Sequence, residues 1–216
     1  MLNIKMEPYL YALISTFVPE YFSILTELAG GLLIKETKGG NTYANGVLHS
    51  FNDEPAKTGR KFQKWYRNGK CHRDNDKPAL IYNSGTRWWF KNGKIHRDND
   101  KPAGIYVNGG KEWWQNGKIH RDNGPAVIES SYKEWYQHGL KHRDNDKPAV
   151  IYINGYQIWY QHGFKHRDDD KPSGIWRDGY QEWYRNGKCH RDNDLPAVIW
   201  TDGQPNEWWQ NGQRYK

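Results

Sequence analysis

The chain has 216 residues, a net charge of +7, 26% charged residues and a mean hydropathy of -1.10, a length for one or two domains with a wet surface. Apolar residues make up only 36%, yet 12 Trp and 15 Tyr are present, so burial must rest on rings, and the long aliphatic strands of an ordinary parallel α/β enzyme are missing. Two cysteines, Cys71 and Cys189, are too few for a disulfide framework and lie in no metal-ligand spacing.

Residues 5–34 predict two short helices, one through Tyr9–Ile14 and one through Tyr21–Ala29, divided by Pro19 and stopped at Gly30-Gly31. Glu7, Pro8 and Glu20 interrupt any signal-peptide pattern, and no charge-free apolar run of membrane-spanning length comes after them. The expected location is cytoplasmic or virion-associated rather than secreted, with no transmembrane segment. Residues 1–42 form a separate N-terminal segment, and two roles stay open for it: capping the exposed edge of the β-rich remainder of the chain, or docking a protein partner or a second copy.

Residues 43–216 are a repeat array. His49, His72, His96, His120, His142, His166 and His190 recur at intervals of 23, 24, 24, 22, 24 and 24 residues, giving seven units, the first of them worn, and a terminal half-unit. Each unit carries a tight-turn signal, Asn68-Gly69 or His138-Gly139 for example, and a second one such as Asn154-Gly155. Between the turns lie runs of four to six residues rich in β-branched and aromatic side chains. The predicted fold is all-β: an elongated, single-layer antiparallel meander of tandem hairpins of about 24 residues, two strands per unit, with a short helical N-terminal element.

Alternation along the strands sets Trp65, Trp89, Trp113, Trp135, Trp159, Trp183 and Trp208 in one column. Tyr66, Phe90, Trp114, Tyr136, Tyr160, Tyr184 and Trp209 form its partner. Such columns are either core, covered by loops and the stems of Lys and Arg, or an exposed binding groove. Beside them, Arg73, Arg97, Arg121, Arg143, Arg167 and Arg191 form a ladder in which each Arg precedes an Asp. The Trp column and this Arg ladder are the candidate binding face.

The stretch His72-Arg73-Asp74-Asn75-Asp76-Lys77-Pro78-Ala79 recurs in later units. Its first three residues match the catalytic loop of protein kinases, but the glycine-rich loop and the downstream Asn are missing. A sequence repeated along an array is also ill suited to one unique catalytic centre, and residues 1–42 contain no His or Cys. No catalytic residues and no enzymatic activity are expected. Equivalent histidines of successive units lie about 9–10 Å apart at ordinary strand spacing, too far to share a zinc ion, and the loops lack calcium-loop spacing. No metal and no cofactor are expected.

Residues 1–56 carry a net charge of -3, leaving +10 on the rest. A basic, aromatic-rich surface suits single-stranded nucleic acid, although the Asp after each Arg offsets attraction to phosphate. Peripheral contact with an anionic membrane is a weaker use of the same charge.

The aromatic pair, Asn-Gly-Lys turn, His-Arg and later Gly turn together resemble the variant form of the MORN repeat. The Asp-Asn-Asp-x-Pro-Ala extension is similar to repeat proteins of large DNA viruses, bacteriophages and bacteria. The likeness covers roughly residues 43–216 and departs from typical members at Arg73, Arg97 and their equivalents, where those carry Gly. It implies an elongated hairpin array acting as a scaffold or protein-interaction module, in a viral structural or host-interaction setting, without catalytic residues.

Overall fold

The computed structural model describes residues 35–216, and the helical element expected over residues 5–34 lies outside them. All regular structure in the described part is β. It opens with a three-stranded antiparallel sheet, Lys35–Lys38, Asn41–Ala44 and Val47–Leu48, which crosses the boundary read from sequence between residues 42 and 43.

Thirteen strands then form one antiparallel sheet that runs in chain order from Lys57–Gly59 to Val198–Ile199. At the usual strand spacing its length is roughly 60 Å. Beside it lie seven separate two-stranded hairpins, such as Phe90–Lys91 with Lys94–Ile95. A unit therefore contributes four short strands rather than the expected two: two to the long sheet and two to its own hairpin. The handover occurs at the buried Trp. The Trp89 N–H donates to Ala103 O in the long sheet at 2.8 Å, whereas its carbonyl accepts the His96 N–H of the hairpin side at 3.1 Å.

The hairpins stack because each tight turn donates backward. The Gly93 N–H reaches Cys71 O of the preceding hairpin at 2.8 Å, and Gly117 reaches Ile95 O at 2.9 Å. Asn92 and Gly93 have φ of 51° and 85°, the paired left-handed conformation of a two-residue hairpin turn, which Asn-Gly adopts with least strain. The second left-handed pair in the unit is Asn75-Asp76, with φ of 57° and 54°, closed by the Lys77 N–H to Asp74 O. The repeated Asp-Asn-Asp thus builds a loop that aims its last Asp toward the next unit.

Two residue types, one small and one Trp, recur through the interior in every complete unit. Ala56, Ala79, Ala103, Ala126, Ala149 and Ala197 are fully buried, as is Ser173 at the equivalent place. The second type is Trp: the column is only 4–7% exposed at Trp65, Trp89, Trp113, Trp159 and Trp183. Trp135 and Trp208 are half-buried.

Histidines rivet one unit to the next. His72 Nδ1 accepts the Asn92 N–H at 3.1 Å, so the ring hydrogen sits on Nε2 and faces Asp74 Oδ1 at 3.0 Å. The same backbone bond recurs from Asn116 to His96, from His138 to His120 and from Asn186 to His166.

Candidate interaction surface

Six of the seven column Trp residues carry an Arg of their own unit, and Trp208 carries Lys216 instead. The guanidinium carbons of Arg73, Arg97, Arg121, Arg143, Arg167 and Arg191 lie 3.7–3.9 Å from the indole centroids of Trp65, Trp89, Trp113, Trp135, Trp159 and Trp183. Stacking of this kind is favourable electrostatically and covers apolar ring surface. The Nη1 of Arg97 then donates to Pro102 O at 3.1 Å, fixing the plane of the group.

The acid partner is not the Asp that comes after each Arg in sequence. Arg97 Nε and Nη2 donate to Asp76 Oδ1 and Oδ2 at 2.7 and 3.1 Å, across to the preceding unit. Arg73 holds Asp53, Arg121 holds Asp100, Arg167 holds Asp146 and Arg191 holds Asp170 in the same forked manner. The backbone of that same Asp also receives the indole: the Trp89 Nε1–H donates to Asp76 O at 3.0 Å. The hydrogen bond from Arg97, then that from Lys101, holds the Asp76 carboxyl down at about 2, and Arg167 with Lys171 does the same for Asp146. The Asp directly after the Arg serves its own unit instead, as Asp74 does by pairing with His72 and Arg67.

The Trp column is core, and five of the six ladder arginines spend their forked donors inside the array. The indole faces from Trp65 to Trp183 are covered by guanidinium groups, so that part of the column is not an open groove. That commitment also removes most of the phosphate-binding capacity that a count of Arg residues suggests.

The exposed ring surface lies elsewhere. Tyr132 and Tyr152 are register partners in the long sheet, and the row continues through Tyr156, Trp176, Tyr180 and Trp200, each directly adjoining the end of a successive strand. Ring centroids along it are separated by 5.7, 5.4, 3.7, 4.4 and 4.6 Å, a continuous aromatic stripe. The rings are half-buried apart from Trp200, which is 36% exposed. Tyr156, Trp176, Tyr180 and Trp200 line an open groove of about 530 Å³ with Glu182 at its floor. Burial pushes the Tyr156 phenol well above its ordinary value, keeping it neutral.

The groove floor is built by a close approach. A Cβ at Gly174 would sit 2.5 Å from Glu182 Oε1 and 3.0 Å from the Trp176 ring, so Gly makes room for both side chains. Glu182 is buried and ion-paired with Lys165, whose ammonium lies 5.6 Å from the Trp176 centroid. The ring row had a sequence signal: Tyr152, Trp176 and Trp200 each stand three residues after a fully buried Ala or Ser. Tyr106 follows the same spacing after Ala103, but the unit between places Glu129 there, which interrupts the column.

Among the described residues, no group of three or more His, Cys, Asp or Glu is arranged to hold a metal ion. No helix among them is long and apolar enough to cross a membrane. Cys71 and Cys189 are free thiols, buried and pushed up to about 11 by that burial. No protein-family model, curated protein or solved structure matches this chain.

Proposed function

We propose that the chain is a non-enzymatic scaffold whose repeat array binds a protein partner along the aromatic stripe from Tyr132 to Trp200. The observation that carries this reading is the six-ring row itself. It gathers large, stiff, amphipathic side chains on one face of a many-stranded sheet, the composition that dominates binding energy at protein interfaces. The stacked hairpins, the Arg–Asp forks and the His rivets hold that row in fixed register, so little order has to be gained on association. The MORN-variant likeness supports a scaffold role and suggests a viral or host-interaction setting. Residues 1–42 supply a second docking or self-assembly element in this reading.

Nucleic acid is the weaker alternative, because the ladder guanidinium groups are already paired with carboxylates. Quantitative affinity capture with the full chain, with a Tyr156→Ser, Trp176→Ser, Tyr180→Ser variant and with an Arg97→Gln variant tests the proposal. The expected result is a partner retained by wild type and Arg97→Gln but lost by the stripe variant. A partner lost by Arg97→Gln alone, or nuclease-sensitive capture, would overturn it.

A further inference from the structure

One rung of the ladder is open. The unit preceding Arg143 reads His120-Arg121-Asp122-Asn123-Gly124-Pro125-Ala126, one residue shorter than the others, with Gly124 where the last Asp and the Lys of the loop stand elsewhere. The carboxylate that every other ladder Arg grips is therefore missing from the chain at this point. Arg143 is nonetheless held as its equivalents are. Its guanidinium lies 3.7 Å from the Trp135 centroid, and Nη1 donates to Pro148 O at 3.0 Å.

Nε and Nη2 of Arg143, the two donors that form the fork in the other units, have no partner among the described residues. The nearby acids of the same loops are committed: Asp122 faces His120 Nε2 at 3.1 Å, and Asp144 faces His142 at 2.9 Å and Gln137 at 3.0 Å. Lys147 is exposed and also lacks an acid partner among the described residues, whereas its counterparts Lys77, Lys101 and Lys171 reach the gripped carboxylate at 2.6–3.0 Å. Burial acts on the Arg143 guanidinium without a compensating anion and holds it below its ordinary value.

We infer that Arg143 and Lys147 form a docking site for an acidic side chain, Asp or Glu, of a partner protein. The fork geometry selects a planar two-oxygen acceptor, and the five filled rungs show that this frame accepts an aspartate carboxylate. Because the stacked indole and the Pro148 carbonyl already orient the guanidinium, docking costs little ordering of the receptor side. The site is distinct from the aromatic stripe and does not depend on its role.

The test uses the Arg Nε–Hε resonances of the full chain, observed by NMR at constant ionic strength during titration with N-acetyl-aspartate amide, sodium acetate or inorganic phosphate. Two variants are compared with wild type: Arg143→Lys, and a chain in which Gly124 is replaced by Asp-Lys, restoring the missing carboxylate from within. The expected result is a saturable shift of the Arg143 resonance alone with the aspartate amide, weakened at least fivefold in the restored chain; Arg143→Lys, which has no such resonance at that position, identifies the signal by its loss. The restored loop should also move that resonance toward those of Arg97 and Arg121 before any addition. No selective shift, or an unchanged response in the restored chain, would overturn the proposal. Binding of acetate without the aspartate amide would assign the fork to small free acids, and tighter binding of phosphate would assign it to phosphate; either outcome also overturns it.

Discussion

Asp76 and Arg97 are 21 residues apart in sequence and belong to successive units, yet two parallel hydrogen bonds of 2.7 and 3.1 Å join them. The same Asp accepts the indole N–H of Trp89 through its carbonyl, so one residue ties a neighbouring unit's ring and its cation together. This three-residue rung, repeated, is how hairpins too short to be stable singly become one array.

Removing one rung should loosen the array locally. Arg97→Ala loses the stacking on Trp89 as well as the fork, and the expected cost is about 1–2 kcal/mol. Asp76→Asn keeps the carbonyl acceptor for Trp89 and should cost less, since the carboxylate is 42% exposed and water screens the pair. Urea denaturation of both single variants and the double variant checks this, and the double should be less destabilised than the sum of the singles.

Acid should weaken the same contacts. The Asp76 and Asp146 carboxyls are held at about 2 in the fold against an ordinary value of 3.8, so the unfolded chain binds more protons between those values. Their contribution is therefore complete above pH about 4 and is lost as pH falls toward about 2. Thermal unfolding measured across that window should show a falling Tm, with a shallower slope in the Asp76→Asn, Asp146→Asn variant. Equal slopes would show that the forks do not survive in solution.

The interior should tolerate neither loss nor gain of volume. Trp113→Ala empties a site only 6% exposed and should cost about 3–5 kcal/mol. Ala103→Leu inserts bulk at a position with no exposure and should cost about 1–3 kcal/mol. Circular dichroism melts of the two variants measure both effects.

Much of this architecture is legible in the sequence, because period, turn residues and ring spacing are local properties. The Asn-Gly and Asp-Asn-Asp signals mark loops, and the Trp positions mark the core. What sequence adjacency misassigns is the ladder: Asp98 comes directly after Arg97, but the register of stacked units brings Asp76 to it instead. The split into a long sheet and separate hairpins is equally hidden, since it depends on how Trp89 divides its two backbone bonds between Ala103 and His96. The aromatic stripe escapes notice because it comes from the less regular turn, where Glu129 interrupts the pattern seen at Tyr106, Tyr152, Trp176 and Trp200.

The central claim is that the indole column is interior while the Tyr132–Trp200 row is the surface offered to a partner. Hydroxyl-radical footprinting of the free full-length chain with residue-level readout tests it most directly. Trp200 and Trp176 should oxidise several times faster than Trp89, Trp113 and Trp183. If the column residues react as fast as Trp176 and Trp200, the column is open to solvent, and the assignment of the binding surface to the stripe is contradicted.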